Sequence, residues 1–158
     1  MTPFLFKAME TRIEMYERAM DLYGLEEIPG PENNPVIMQM FRDLGHDWVQ
    51  GDETGWCACL INWLAWSLRL EHTNSLLARD FLSIGNNIQI PKRGHLAIFW
   101  RTDPYSQWGH VGLFVRKDSD LIYVLGGNQD NKIKISPYKA DRLLGYRELR
   151  PEYLKGCA

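Results

Sequence analysis

The side chains best suited to covalent or acid–base chemistry in this 158-residue chain are three cysteines and four histidines. Cys57 stands where the polar run HDWVQGDET gives way to the apolar run WCACLINWLAWSLRL, in the first turn of a predicted helix. Unpaired backbone N–H groups and the helix dipole favour negative charge there, so a thiolate would be stabilised. The same position also suits one more small apolar residue, and position alone does not choose between the two. Cys59 lies roughly 200° around the helix from Cys57 and reads as core. Cys157 falls in the C-terminal tail and carries no signal. The remaining histidines, His46, His72 and His95, lack zinc-like spacing with the cysteines, so neither a metal nor a cofactor is expected.

His110 opens the run GHVGLFV. Alternation along a strand puts His110, Gly112 and Phe114 on one face and Val111, Leu113 and Val115 on the other. Both faces are apolar beyond the histidine, which predicts a strand covered on both sides, and Gly112 leaves room for a close approach. A cysteine near a histidine makes a nucleophile and base, and such a pair needs a third polar group on the far imidazole nitrogen to fix its tautomer. Asn128, after Gly126 and Gly127, is the candidate for that role; Gln129 could serve instead, and turn chemistry alone would also explain Asn128.

These residues must be held by elements that the sequence outlines. Leu5, Met9, Ile13, Tyr16, Met20 and Tyr23 recur at helical spacing over residues 4–23, with Gly24 as the stop. Asn34 and Pro35 read as cap and first turn of a second helix, Pro35 to Leu44, ended by Gly45. The apolar run from Trp56 predicts a central buried helix, and Leu76 to Leu82 a short one. From Ile90 onward the chain reads as strands: His95 to Arg101, His110 to Arg116, Leu121 to Leu125, Lys132 to Ser136 and Leu143 to Leu149. Helices first and antiparallel strands second is an α+β order in one domain over residues 1–158, helical over about 1–85 and sheet over about 90–150.

Composition sets the outer limits. Hydrophobic residues at 45% and charged residues at 24% suit one globular core. A net charge of -2 without a basic patch gives no footprint for nucleic acid. No run approaches the roughly 18 apolar residues of a membrane span, so no membrane insertion is expected. The opening MTPFLFKAMETRIE has no secretory pattern, which implies a cytoplasmic location when made.

The runs DETGWC, PKRGHLAIFWR, GHVGLFV and VLGGNQDN together resemble the CHAP and NlpC/P60 group of peptidoglycan cysteine hydrolases, and more closely a small CHAP-like family common in phages. The resemblance spans most of the chain. It implies a papain-like fold, with a nucleophile at the start of a central helix and an antiparallel sheet presenting the histidine. Cys57 then matches the nucleophile, His110 the base and Asn128 the third residue. The implied substrate is bacterial peptidoglycan, cut at an amide bond by an endolysin-like enzyme acting on the cell wall. Export through a holin-dependent pore or by secretion is implied with it. The alternatives are a secreted antibacterial amidase effector and a catalytically silent wall-binding module. Trp56 and Trp108, beside the catalytic candidates, are expected to wall the substrate groove. The chain departs from the NlpC/P60 pattern in flanking the cysteine with Trp56 and Ala58, in offering an amide as third residue, and in placing His95 where the strand motif has Asp. Asp47, Asp52 and Glu53 only loosely resemble a calcium cluster, so calcium is not expected.

Overall fold

The computed structural model describes residues 2–51 and 55–154. Asp52, Glu53 and Cys157 lie outside them. Helix α1 (Pro3–Asp21) starts from Thr2, whose hydroxyl accepts from Leu5 N–H at 3.2 Å. Helix α2 (Pro35–Asp43) starts from Asn34, whose side chain accepts from Val36 N–H at 2.9 Å, with Pro35 in the first turn as the sequence suggested. Helix α3 (Cys57–Ser67) is apolar on nearly every side, and Cys57 to Asn62, Leu64 and Ala65 are all buried. A 3₁₀ helix, Ala78–Ser83, stands where a short helix was predicted.

Six strands follow: β1 (Asn86–Ile88), β2 (Leu96–Trp100), β3 (Gly109–Asp118), β4 (Leu121–Gln129), β5 (Lys132–Lys139) and β6 (Leu143–Glu148). They form one antiparallel sheet in the order β1-β6-β2-β3-β4-β5. The α+β expectation holds. Strand β1 was not foreseen, because Asn86 and Asn87 are polar and exposed and only pairing with β6 makes them a strand.

Alternation along the strands sorts side chains into two cores. Leu96, Ile98, Val111, Leu113 and Leu125 face α3 and join Leu60, Ile61 and Leu64 in the larger one. Ala97, Phe99, Phe114, Ile122, Val124 and Tyr146 form a smaller cluster on the other face. Strand β3 is therefore buried on both faces from His110 to Val115, as GHVGLFV implied. The room beside Gly112 is taken by β4: a Cβ there would collide with Val124 Cγ1. Helix α1 corrects the helical face read from sequence. It buries Thr11, Met15 and Ala19, while Leu5, Ile13, Met20 and Tyr23 stay exposed. Contact with the larger core selects a face that holds a small and a polar residue, which an apolar count cannot see.

Candidate active site

Cys57 opens α3 with its side chain buried to 7% exposure. Trp56, the residue at the N-cap position, makes no side-chain bond to the first-turn N–H groups. Burial pushes the Cys57 thiol up, and it outweighs the N–H groups of Val111, Ala58 and Cys57 itself and the charge of Arg101, all of which favour the thiolate. The thiolate expected from the helix terminus is therefore not the resting form at neutral pH. Cys59 is fully buried, as its opposite face predicted, and burial with the neighbouring Cys57 pushes it up to about 12.

His110 is the second residue of β3, next to the Val111 whose N–H favours the Cys57 thiolate. Its Nε2 lies 2.9 Å from Gln129 Oε1. The amide's own nitrogen donates to the carbonyls of Val124, at 3.3 Å, and Lys134, so the oxygen end faces the ring and can only accept. The neutral ring accordingly carries its proton on Nε2 and leaves Nδ1 as the base. Tyr138 completes the assembly. Its hydroxyl donates to the same Oε1 at 3.1 Å, and its ring stacks on His110 with centroids 4.8 Å apart and planes 15° apart. Phe99 stacks on Tyr138 in turn, at 4.9 Å. Burial lowers His110 to about 4 despite the Gln129 bond that favours the charged ring, and the charge of Arg101 lowers it further. The imidazole is neutral at neutral pH.

The residue on the imidazole is thus Gln129, and Asn128 is not bonded to it. Three residue steps from Gly126 to Gln129 oppose two from Lys134 to Lys132, which is a β-bulge. Asn128 absorbs the extra step at φ 55°, a left-handed conformation that Asn tolerates better than most residues. The bulge reverses the pleat. Gln129 therefore shares the His110 face with Gly126, where an added Cβ would meet Gln129 Oε1 at 2.9 Å and His110 Nε2 at 3.3 Å. Asn128 lines the same cleft one residue away.

That cleft, of about 580 Å³, opens between the end of β2 and β5 and is lined by Arg101, His110, Gln129, Tyr138 and Arg142 among others. Trp56 cannot wall it. The indole is fully buried against Gly127, and its Nε1 donates to Glu27 at 2.8 Å. Trp108 is 55% exposed but is not a lining residue; the tryptophan in the cleft wall is Trp100. His95 lies elsewhere, accepting from Lys92 N–H at Nδ1 and pairing with Glu148 through Nε2 at 3.1 Å, a brace at the start of β2. His72 bonds the Leu70 carbonyl, and His46 packs edge-on against Trp48. Among the described residues no three His, Cys, Asp or Glu side chains converge as metal ligands would.

No family model and no curated protein sequence matches the chain. Solved structures do. A protein described as similar to lipoprotein, NLP/P60 family, from Staphylococcus aureus superposes with a TM-score of 0.51 at 17% identity over 89% of this chain. This chain spans 42% of that protein's length. The P60 domain of an antigen from M. avium subspecies paratuberculosis superposes with a TM-score of 0.54 at 12% identity, over 92% of this chain and 97% of the domain. At these identities the likeness is one of architecture, and that architecture is the NlpC/P60-like fold.

Proposed function

We propose that the protein is a cysteine hydrolase that cuts amide bonds of bacterial cell-wall peptide. The observation that carries this reading is the fixed tautomer of His110: with Nε2–H held by Gln129, Nδ1 is the basic nitrogen, on the residue next to Val111, whose N–H acts on the thiol that starts α3. Both partners rest neutral. The thiol proton passes to Nδ1 as sulfur attacks the carbonyl carbon, and N–H groups at the start of α3 receive the developing oxyanion. His110 then protonates the leaving amine, a thioester remains, and the neutral ring activates water to hydrolyse it. A resting thiolate is unnecessary, because the low basicity of the buried ring suits return of the proton to the amine.

The likeness of the sequence motifs to the CHAP-like proteins of phages favours a lytic role. Purified peptidoglycan incubated with the protein should lose turbidity, and mass spectrometry of the fragments should show new amino and carboxyl ends. Cys57→Ala should remove this while leaving circular dichroism unchanged. Binding to peptidoglycan without release of fragments would replace the hydrolase reading with that of a wall-binding module.

A further inference from the structure

We propose that Glu27 is a positioning residue: by holding Trp56 it fixes the start of α3, and with it Cys57, against the bulge of β4 that presents Gln129 to His110. The proposal rests on the cysteine–histidine pair of the hydrolase described above.

Cys57 and Gln129 lie on different elements, α3 and β4, so their relative placement depends on contacts between distant segments. Trp56 supplies one such contact. It directly precedes Cys57, its carbonyl accepts from Leu60 N–H at 2.9 Å, and its indole is fully buried. The ring rests on Gly127, two residues before Gln129, so closely that a side chain at 127 would meet it. Packing of this kind limits approach but gives no direction, whereas a hydrogen bond at the ring edge does.

Glu27 makes that bond, accepting from Trp56 Nε1 at 2.8 Å. Its backbone is tied to the other side of Gln129: the Glu27 N–H donates to Asn131 O, two residues beyond, at 2.9 Å. Residues 24–27 run antiparallel beside the start of β5, with Gly24 N–H on Ile133 O and Ile133 N–H on Leu25 O, both at 2.8 Å, and a bridge between Glu26 and Lys132. Glu27 thus joins three points: the residue before the thiol and, through the indole and its own backbone, both flanks of the bulge. Loss of its side chain frees the indole edge and leaves the backbone bonds in place. Displacing a reacting group by about 1 Å costs on the order of 100-fold in rate.

The test compares the full chain with Glu27→Ala, Glu27→Gln and Glu26→Ala, the last a neighbour whose side chain is 64% exposed and pairs with Lys132 at 3.9 Å. Cys57 is alkylated with iodoacetamide across about pH 5 to 10, and the rate is read by mass spectrometry on the peptide that contains it. Glu27→Ala should raise the midpoint of the rate profile by about half a pH unit or more, because the thiol loses its alignment with Val111 N–H. Glu27→Gln keeps an oxygen acceptor for the indole N–H and removes the ionisable group, and should match the parent, as should Glu26→Ala. The groups that interact with the thiol by charge, Arg101, Cys59 and Tyr138, are the same in all four proteins. Loosening alone would have the opposite sign, since burial pushes the thiol up and entry of water would bring it down. An unchanged or lowered midpoint in Glu27→Ala, a Glu27→Gln protein no better than Glu27→Ala, a Glu26→Ala shift as large, or a parent Cys57 that does not react across the range would overturn the proposal. Release of amino ends from purified peptidoglycan is read separately, and in Glu27→Ala should fall about tenfold at saturation with half-saturation little changed. A raised midpoint without turnover by the parent keeps the positioning role and removes the hydrolase; turnover by Glu27→Ala equal to the parent's does the reverse.

Discussion

Tyr138 touches His110 twice, directly through a stacked ring 4.8 Å away and indirectly through a hydroxyl that shares Gln129 Oε1 with the imidazole. One residue on β5 thereby restrains both the plane of the ring and the acceptor that fixes its proton. The two restraints are separable by substitution. Tyr138→Phe keeps the stack and removes one neutral hydrogen bond, about 1 kcal/mol, which corresponds to about a fivefold fall in kcat. Tyr138→Leu removes both and should fall further with KM little changed. Equal rates for the parent protein and Tyr138→Leu would show that the ring needs no such support.

Gln129→Ala should lower kcat by about tenfold or more, because the imidazole loses the acceptor that holds its tautomer while the thiol and the oxyanion donors remain. Asn128→Gly provides the control. Glycine accepts φ 55° freely, so the bulge persists and turnover should stay near that of the parent. A normal rate in Gln129→Ala with a lost rate in Asn128→Gly would assign the third position to Asn128 instead.

How far the sequence reveals this site depends on how local each signal is. Helix α3 and the strand carrying His110 are legible because their apolar patterns lie within single segments. The partner of the imidazole is legible only to within one residue, since a regular strand gives Asn128 the face that the bulge hands to Gln129. Tyr138, Arg101 and Arg142 leave no mark near His110 in sequence; strand pairing across the sheet gathers them around its cleft. Trp56 was misplaced for the same reason, because the residues that bury it, Gly127 and Glu27, are distant along the chain.

Acid should weaken the fold through His110. Its folded pKa is lowered to about 4 from 6.5, so between those values the unfolded chain binds a proton that the folded one refuses. The stabilisation is full above about pH 6.5, is lost as pH falls through this window, and amounts to about 3 kcal/mol at most. Glu148 is shifted down from 4.5 by its bond to His95, so its contribution is lost only at lower pH. Urea melts at pH 7 and pH 4.5 should therefore differ more in the parent protein than in His110→Gln. An identical pH dependence in the two would exclude a buried neutral ring.

Gly127 and Trp56 give the last prediction. A Cβ at position 127 would lie 2.6 Å from Trp56 Cζ3 and 2.7 Å from Cε3, and the indole is fully buried with its nitrogen tied to Glu27, so it has nowhere to retreat. Overpacking of this kind costs on the order of 1–3 kcal/mol, and Gly127→Ala should lower Tm accordingly. Trp56→Phe removes the part of the indole that carries the contact, at the expense of the Glu27 bond and some packing, so it too should destabilise. Combined, the two changes should cost less than their sum, because the smaller ring admits the new methyl group. Strict additivity in the double variant would mean that Trp56 does not press on Gly127.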